Sequence, residues 1–182
     1  MDQNYLNNYF DKVWRHTQFN NLNNPTLSGL ALLDKIKPTE TVIDIGCGVN
    51  GFKKYLPNLV GIDPAFPEAD YQLTLEEFSK QSNAKFNVAL CLGSINFGDK
   101  PYIEQQIGLV TNLLQLNGRI YWRCNPGLQD HGTEDCKYID FYPWTFEEHI
   151  RLSDKFGFKI LEMRWDKNNR IYAEWAKYEE KV

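Results

Sequence analysis

Apolar positions along the chain recur with two different periods. Over 4–16, Tyr5, Tyr9, Phe10, Val13 and Trp14 fall about one helical turn apart, which predicts an amphipathic helix. The Asn-rich stretch FNNLNNP at 19–25 reads as a loop, and Pro25 opens a second helix over 25–35 that ends before Pro38. From residue 41 onward the pattern changes to short apolar runs. TVIDI (41–45), NLVGID (58–63), FNVALCL (86–92) and RIYWRC (119–124) read as strands, with a weaker one at 71–73. Helices are expected at 52–56, 75–81 and 101–116, the last closed by Asn117-Gly118. Thr145, with Glu148 three residues on, predicts a capping box for a helix running to 156. FKILEMRW (158–165) and RIYAEWAKY (170–178) end the chain as strands joined by a short turn, hence antiparallel.

Alternating strands and helices predict an α/β fold with a mostly parallel sheet and helices on both faces. The expected sheet has seven strands and closes on the antiparallel hairpin, with 1–40 a helical extension of the core at 41–182. In such sheets ligands bind outside the carboxyl ends of the strands, at the switch point. DIGCGVNG (44–51) lies there. Gly46, Gly48 and Gly51 permit a tight turn and a close backbone approach by a ligand. Asp44 at the mouth of that turn repels a phosphate and attracts a cation. Asp63 ends the next strand 19 residues later (63 − 44), where a carboxylate accepts hydrogen bonds from a ribose diol. The predicted ligand therefore has a ribose and a cationic group, and S-adenosylmethionine has both. The spacing of Gly46, Gly48 and Gly51 also matches a nicotinamide-enzyme fingerprint, against which Asp44 and the closing hairpin weigh.

VIDIGCGVNG followed by VGID resembles the first two motifs of class I S-adenosylmethionine-dependent methyltransferases, and the element order over 41–178 is similar to their core. The resemblance implies a three-layer Rossmann-like methyltransferase fold, S-adenosylmethionine as cofactor and S-adenosylhomocysteine as product. It implies that Asp44 anchors the methionine end, that Gly46, Cys47, Gly48, Asn50 and Gly51 pass the cofactor, and that Asp63 holds the ribose. Pro64, Ala65, Thr74 and Leu75 would flank the adenine, and Leu92, Gly93 and Ser94 would run beneath the sulfonium. Asn50 stands where the family commonly has Gly, a substitution that tolerates a left-handed φ. The family's usual acid after the third strand is absent.

The acceptor side is less defined. Asn96, Phe97 and Gly98 either contact the acceptor or form a loop capping the next helix through Asp99. Arg123, Asn125 and His131 fall at or after the end of the fifth strand, where an acceptor pocket would lie. Asn96 and His131 are the candidate catalytic residues, His131 as a general base near neutral pH. Tyr142 and Trp144 either wall that pocket or pack in the core. The stripe from Tyr5 to Trp14 is either a lid or a packing face. Trp122 is expected in the core, and His16 and His149 at the surface.

The net charge of −4 provides no general basic field for nucleic acid or membrane. GSINFG (93–98) replaces the Asn/Asp-Pro-Pro-aromatic motif of amino-methylating DNA enzymes, and no separate target-recognition domain is evident. These features favour a small-molecule acceptor over nucleic acid or protein. A non-catalytic cofactor-binding partner subunit is the alternative. Cys47, Cys91, Cys124 and Cys136 lack metal-ligand spacing and read as reduced thiols of a cytoplasmic protein. No apolar run is long enough to span a bilayer, and MDQNYLNNYF is no signal peptide.

Overall fold

The computed structural model describes residues 2–14, 28–127, 136 and 139–178. Its helices are α1 (Gln3–Asn8), α2 (Leu75–Gln81), α3 (Lys100–Leu113) and α4 (Phe146–Lys155). Its strands are β1 (Val42–Ile45), β2 (Leu59–Ile62), β3 (Phe86–Leu92), β4 (Leu114–Cys124), β5 (Phe158–Asp166) and β6 (Arg170–Lys177). Among the described residues these strands form one six-stranded sheet in the order β2-β1-β3-β4-β6-β5. The first four are parallel, and β6 runs antiparallel to both β4 and β5. The order reverses between β1 and β3, which makes their carboxyl ends the switch point.

Strand alternation divides the core in two. Ile43, Ile45, Ala89, Ile120 and Trp122 face α2, α3 and α4. Val42, Val88, Leu90, Tyr121 and Tyr172 face the other way, against Leu32, Ile36, Phe52 and Leu56. That second layer holds two short 3₁₀ turns, Leu30–Lys35 and Gly51–Lys54. The helices predicted at 25–35 and 52–56 are thus single 3₁₀ turns, and 25–27 lie outside the described residues. No helix among the described residues is long and apolar enough to cross a membrane.

The expected seventh strand at 71–73 is a single parallel bridge between Tyr71 and Ile62. It stops there because Thr74 caps α2 at once, in a capping box with Glu77. The predicted helix over 101–116 ends at Leu113, and Asn117-Gly118 serves the following strand rather than the helix. Asn117 takes a left-handed φ of 61° inside β4, where the register with β3 shifts between Phe86 and Val88. At α4 half of the capping box forms. Thr145 Oγ1 accepts from the Glu148 amide at 3.1 Å, but the Glu148 carboxylate accepts from Arg151 Nε at 2.9 Å and from the Tyr142 hydroxyl.

His149, expected at the surface, is fully buried. It shares the inward stripe of α4 with Leu152 and Ser153 and packs among Trp122, Trp144 and Trp175 at ring separations of 6.2, 4.6 and 5.6 Å. Neither ring nitrogen has a hydrogen-bond partner. Burial therefore pushes its pKa from 6.5 down to about 3. Unfolded His149 takes up a proton below 6.5 that the folded ring refuses, so stability drops as pH falls through that window. The unfolding free energy should fall by on the order of 2 kcal/mol between about pH 6.5 and 4.5 through this residue. Urea titrations across that range should show a shallower loss in His149→Leu than in the wild type.

Candidate functional site

A cavity of about 490 Å³ opens over the carboxyl ends of the strands. That size falls within the range of small-molecule sites. Its floor is set by the row of strand ends: Asp63 after β2, Asp44 and Gly46 at β1, Leu92 to Asn96 after β3, Arg123 on β4, and Arg170 on β6. Leu6, Phe10 and Trp14 of the N-terminal segment line it from above. α1 continues as a π-helical turn over Tyr9–Trp14, and Leu6 and Tyr9 pack with Phe97, Cys136 and Ile139. The segment is therefore packing face and cavity wall at once.

Asp44 is 4% exposed and has no hydrogen-bond partner among the described residues. Burial, then the Asp63 charge, raises its pKa from 3.8 to about 7. Asp63 is also raised by burial, but its carboxylate is held by backbone. It accepts from the Gly48 amide at 3.0 Å, from Ala65 at 2.8 Å and from Phe66 at 3.2 Å. The first of these bonds ties the glycine turn to the end of β2. The Gly46 and Cys47 amides also donate to the Ile62 carbonyl, at 2.8 and 3.1 Å.

Gly46 has φ +68°, and a Cβ there would lie 2.5 Å from Ser94 Cβ. The turn after β1 and the loop after β3 thus touch because position 46 has no side chain. Asn50 adopts the left-handed conformation, φ 55° and ψ 39°, which a glycine would also take freely. Its Nδ2 donates outward to the Glu68 carbonyl at 3.3 Å. The loop after β3 is held from behind. Trp144 Nε1 donates to the Ile95 carbonyl at 2.8 Å, the Tyr142 amide to the Asn96 carbonyl at 2.8 Å, and the Asn125 amide to Asn96 Oδ1 at 3.0 Å.

Most of the predicted site residues converge on the cavity. Asp44, Gly46, Cys47, Gly51, Asp63, Pro64 and Ala65 line it, as do Thr74, Leu75, Leu92, Gly93, Ser94 and Asn96. Gly48 and Asn50 do not line it and instead brace the turn from outside. Arg123, Asn125 and Phe97 lie on its far side. His131 and His16 lie outside the described residues. Tyr142 and Trp144 do not wall the cavity; they are buried behind the loop after β3. Gly98 takes φ +101° and Asp99 caps α3 through the Tyr102 amide at 3.0 Å. The sequence reading missed Gln106 and Tyr102 of α3, Glu76 of α2, and Lys167 and Arg170 of the closing hairpin. Gln106 is the one with a local signal, a polar residue on the buried stripe of α3, where its Nε2 donates to Glu76.

No family model matches the sequence, and no curated protein is significantly similar to it. Similarity appears in three dimensions. The 1,6-didemethyltoxoflavin-N1-methyltransferase of Burkholderia thailandensis, solved with 1,6-didemethyltoxoflavin and S-adenosylhomocysteine, superposes with a TM-score of 0.71. Identity is 15%, over 97% of this chain and 86% of that one. The magnesium protoporphyrin IX methyltransferase of Synechocystis, solved with S-adenosylmethionine, gives 0.67 at 15% identity, over 97% and 98%. A methyltransferase of Methanosarcina mazei gives 0.61 at 15%, over 83% and 98%. The chain has the class I methyltransferase fold. Within that fold the mixed sheet, the switch point and the closing hairpin are as the sequence implied, and the strand missing from the expected seven is at 71–73.

The isolated charge of Asp44 has a measurable consequence. Below 3.8 the carboxyl is protonated whether the chain is folded or not and costs nothing. As pH rises from 3.8 to about 7 the unfolded carboxyl ionises while the buried one stays protonated, so stability falls through that window and the full penalty is reached above it. Asp44→Asn should therefore stabilise the ligand-free protein at pH 8 by about 2–4 kcal/mol. Urea unfolding should show the gain vanishing near pH 4.

Proposed function

We propose that the protein is an S-adenosylmethionine-dependent methyltransferase acting on a small-molecule acceptor. The observation that carries this reading is the buried, unpartnered Asp44 carboxylate opening into the cavity beside Gly46. A buried charge without a partner is stable only when a ligand supplies one. A cationic α-amino group, direct or through water, answers that need, while the pyrophosphate of a dinucleotide would be repelled. Asp63 sits one strand over, and its oxygens keep lone pairs for a ribose diol beside the amides they already hold. Pro64, Ala65, Thr74 and Leu75 form an apolar and backbone-lined slot beyond it for an adenine.

S-adenosylmethionine would supply an electrophilic methyl group on a sulfonium leaving group. The chain's own residues then have three tasks. Gly46, Gly93 and Ser94 shape the floor on which the two reactants meet. Leu6, Phe10 and Trp14 exclude water from above. The rigid backing of Trp144 and Tyr142 fixes the loop that faces the acceptor. Alignment of this kind contributes roughly 7–11 kcal/mol in bimolecular reactions, and a base is needed only where the acceptor must lose a proton. Asn96 Oδ1 is committed to the Asn125 amide, so Asn96 is a positioning residue in this scheme.

Two neighbours that share the fold are named for small-molecule acceptors, 1,6-didemethyltoxoflavin and magnesium protoporphyrin IX. Together with the size of the cavity and the net charge of −4, they support a small acceptor over nucleic acid. No disulfide joins Cys47, Cys91, Cys124 or Cys136, which fits the reducing cytoplasm.

Calorimetric titration with S-adenosylhomocysteine, with NADH as control, tests the assignment. Saturable binding of the first alone is expected, and Asp44→Ala and Asp63→Ala should each weaken it at least tenfold, about 1.4 kcal/mol. Unchanged affinity in both folded variants would sink the site. The pH dependence adds an independent check. The ligand ammonium prefers ionised Asp44, whose pKa in the free protein is about 7. Affinity should rise by about tenfold from pH 6 to pH 8 and stay flat in Asp44→Asn.

A further inference from the structure

The far end of the cavity carries the opposite charge. Arg123 is the penultimate residue of β4 and lies on the same sheet face as Tyr121 and Asp44. Its side chain is 22% exposed, and its guanidinium makes no hydrogen bond among the described residues. Among the described residues the nearest carboxylate is Asp166, 3.9 Å from Arg123 Nε, and Asp166 already accepts from Ser28 Oγ at 2.6 Å. Arg170 stands two positions from Tyr172, the β6 partner of Arg123, and so lies diagonally across on the same face. Burial first, then the neighbouring Arg170 charge, presses the Arg123 pKa below its ordinary value. Lys167 lines the same end. Among the described residues Arg123 thus has one carboxylate in range, at the edge of ion-pair distance. Arginine's five donors in a planar fork match a carboxylate or phosphate.

The wall beside these cations is aromatic. Phe97 stacks edge-on to Phe10 with ring centroids 5.4 Å apart and against Phe141 at 5.4 Å, and all three rings line the cavity. We infer that this end is an oxyanion subsite, in which Arg123, beside Arg170 and Lys167, takes the carboxylate or phosphate of an acceptor whose apolar body lies against Phe10, Phe97 and Phe141. The assignment to the acceptor rests on the proposed function. With the cofactor's ammonium at Asp44, its own carboxylate is held at β1, two strands and about 10 Å from β4.

The test pairs charge with a neutral twin. Benzoate, cinnamate and indole-3-acetate are each titrated against their primary amides, with phenyl phosphate against phenol, on protein with and without S-adenosylhomocysteine. At least one oxyanion should bind tenfold or more tighter than its neutral twin. Arg123→Gln and Arg170→Gln should each abolish that preference while S-adenosylhomocysteine affinity stays within twofold. Equal binding of every pair would overturn the subsite and leave the cofactor assignment standing. A tenfold loss of S-adenosylhomocysteine affinity in Arg123→Gln would overturn it too, because the arginine would then hold the cofactor's carboxylate. Oxyanion preference in a protein that binds no S-adenosylhomocysteine would uphold the subsite and remove the methyltransferase reading. If Arg123→Gln fails to fold, Arg123→Lys serves in its place: it keeps the charge, loses the fork, and should lower the preference several-fold.

Discussion

A carboxylate buried without a partner is the constraint around which the centre of this molecule is arranged. Asp44 is the penultimate residue of β1, an interior strand of the sheet, and only 4% of it is exposed, so water cannot solvate it freely. Burial first, then the neighbouring Asp63 charge, pushes it toward the neutral form. The surroundings do nothing to relieve this. The neighbouring amides of Gly46 and Cys47 are spent on the Ile62 carbonyl, and that of Gly48 is spent on Asp63. Such an arrangement lowers stability in the free protein and leaves an electrostatic vacancy of defined sign.

The sheet extends that logic by parity and register. Residues 42, 44, 88, 90, 121, 123, 170 and 172 share one face, so Asp44, Arg123 and Arg170 emerge on the same side at the same end. Acids occupy β1 and β2, bases β4 and β6, and the uncharged loop after β3 separates them. A one-residue slip of β4 against β3 would turn Arg123 into the α-helical layer and Trp122 toward the cavity. The bulge at Asn117 lies upstream of that pairing, so it absorbs irregularity before the functional end of the strand.

How much of this was legible in the sequence depends on the range of the interactions involved. The apolar runs 41–45 and 86–92 and the DIGCGVNG turn are local signals, and they placed the switch point and both acids. The helix ends were harder. Asn117-Gly118 is a helix stop by local chemistry, yet Leu114 is taken into the sheet by pairing with Phe86, a contact 28 residues away in the chain. His149 was misplaced because a polar side chain was read as a surface one. Its spacing with Leu152 marked the inward stripe, and the three tryptophans that surround it come from β4, the loop before α4, and β6. Arg123 was found by its position at a strand end, but Arg170 and Lys167 reach the site only through the antiparallel return of β6, which no local pattern encodes.

The unequal layers explain why the cavity exists at all. α2, α3 and α4 fill one face to the strand ends, and the ion pairs of Glu104 with Arg151 and Lys155 lock α4 to α3. Among the described residues the other face has two 3₁₀ turns, too short to cover the sheet from end to end. The turn at Leu30–Lys35 is fastened near the middle of β6 by Lys35, which pairs with Glu174 and Glu162, while Arg119 donates to the Lys35 carbonyl at 3.3 Å. Everything beyond that anchor, toward the carboxyl ends, is left for α1 and the aromatic turn that follows it. That segment is short and packs on the loops rather than on the sheet. That cover leaves space beneath it, and in this space the unpartnered Asp44 and the Arg123 guanidinium line the same ligand-sized volume.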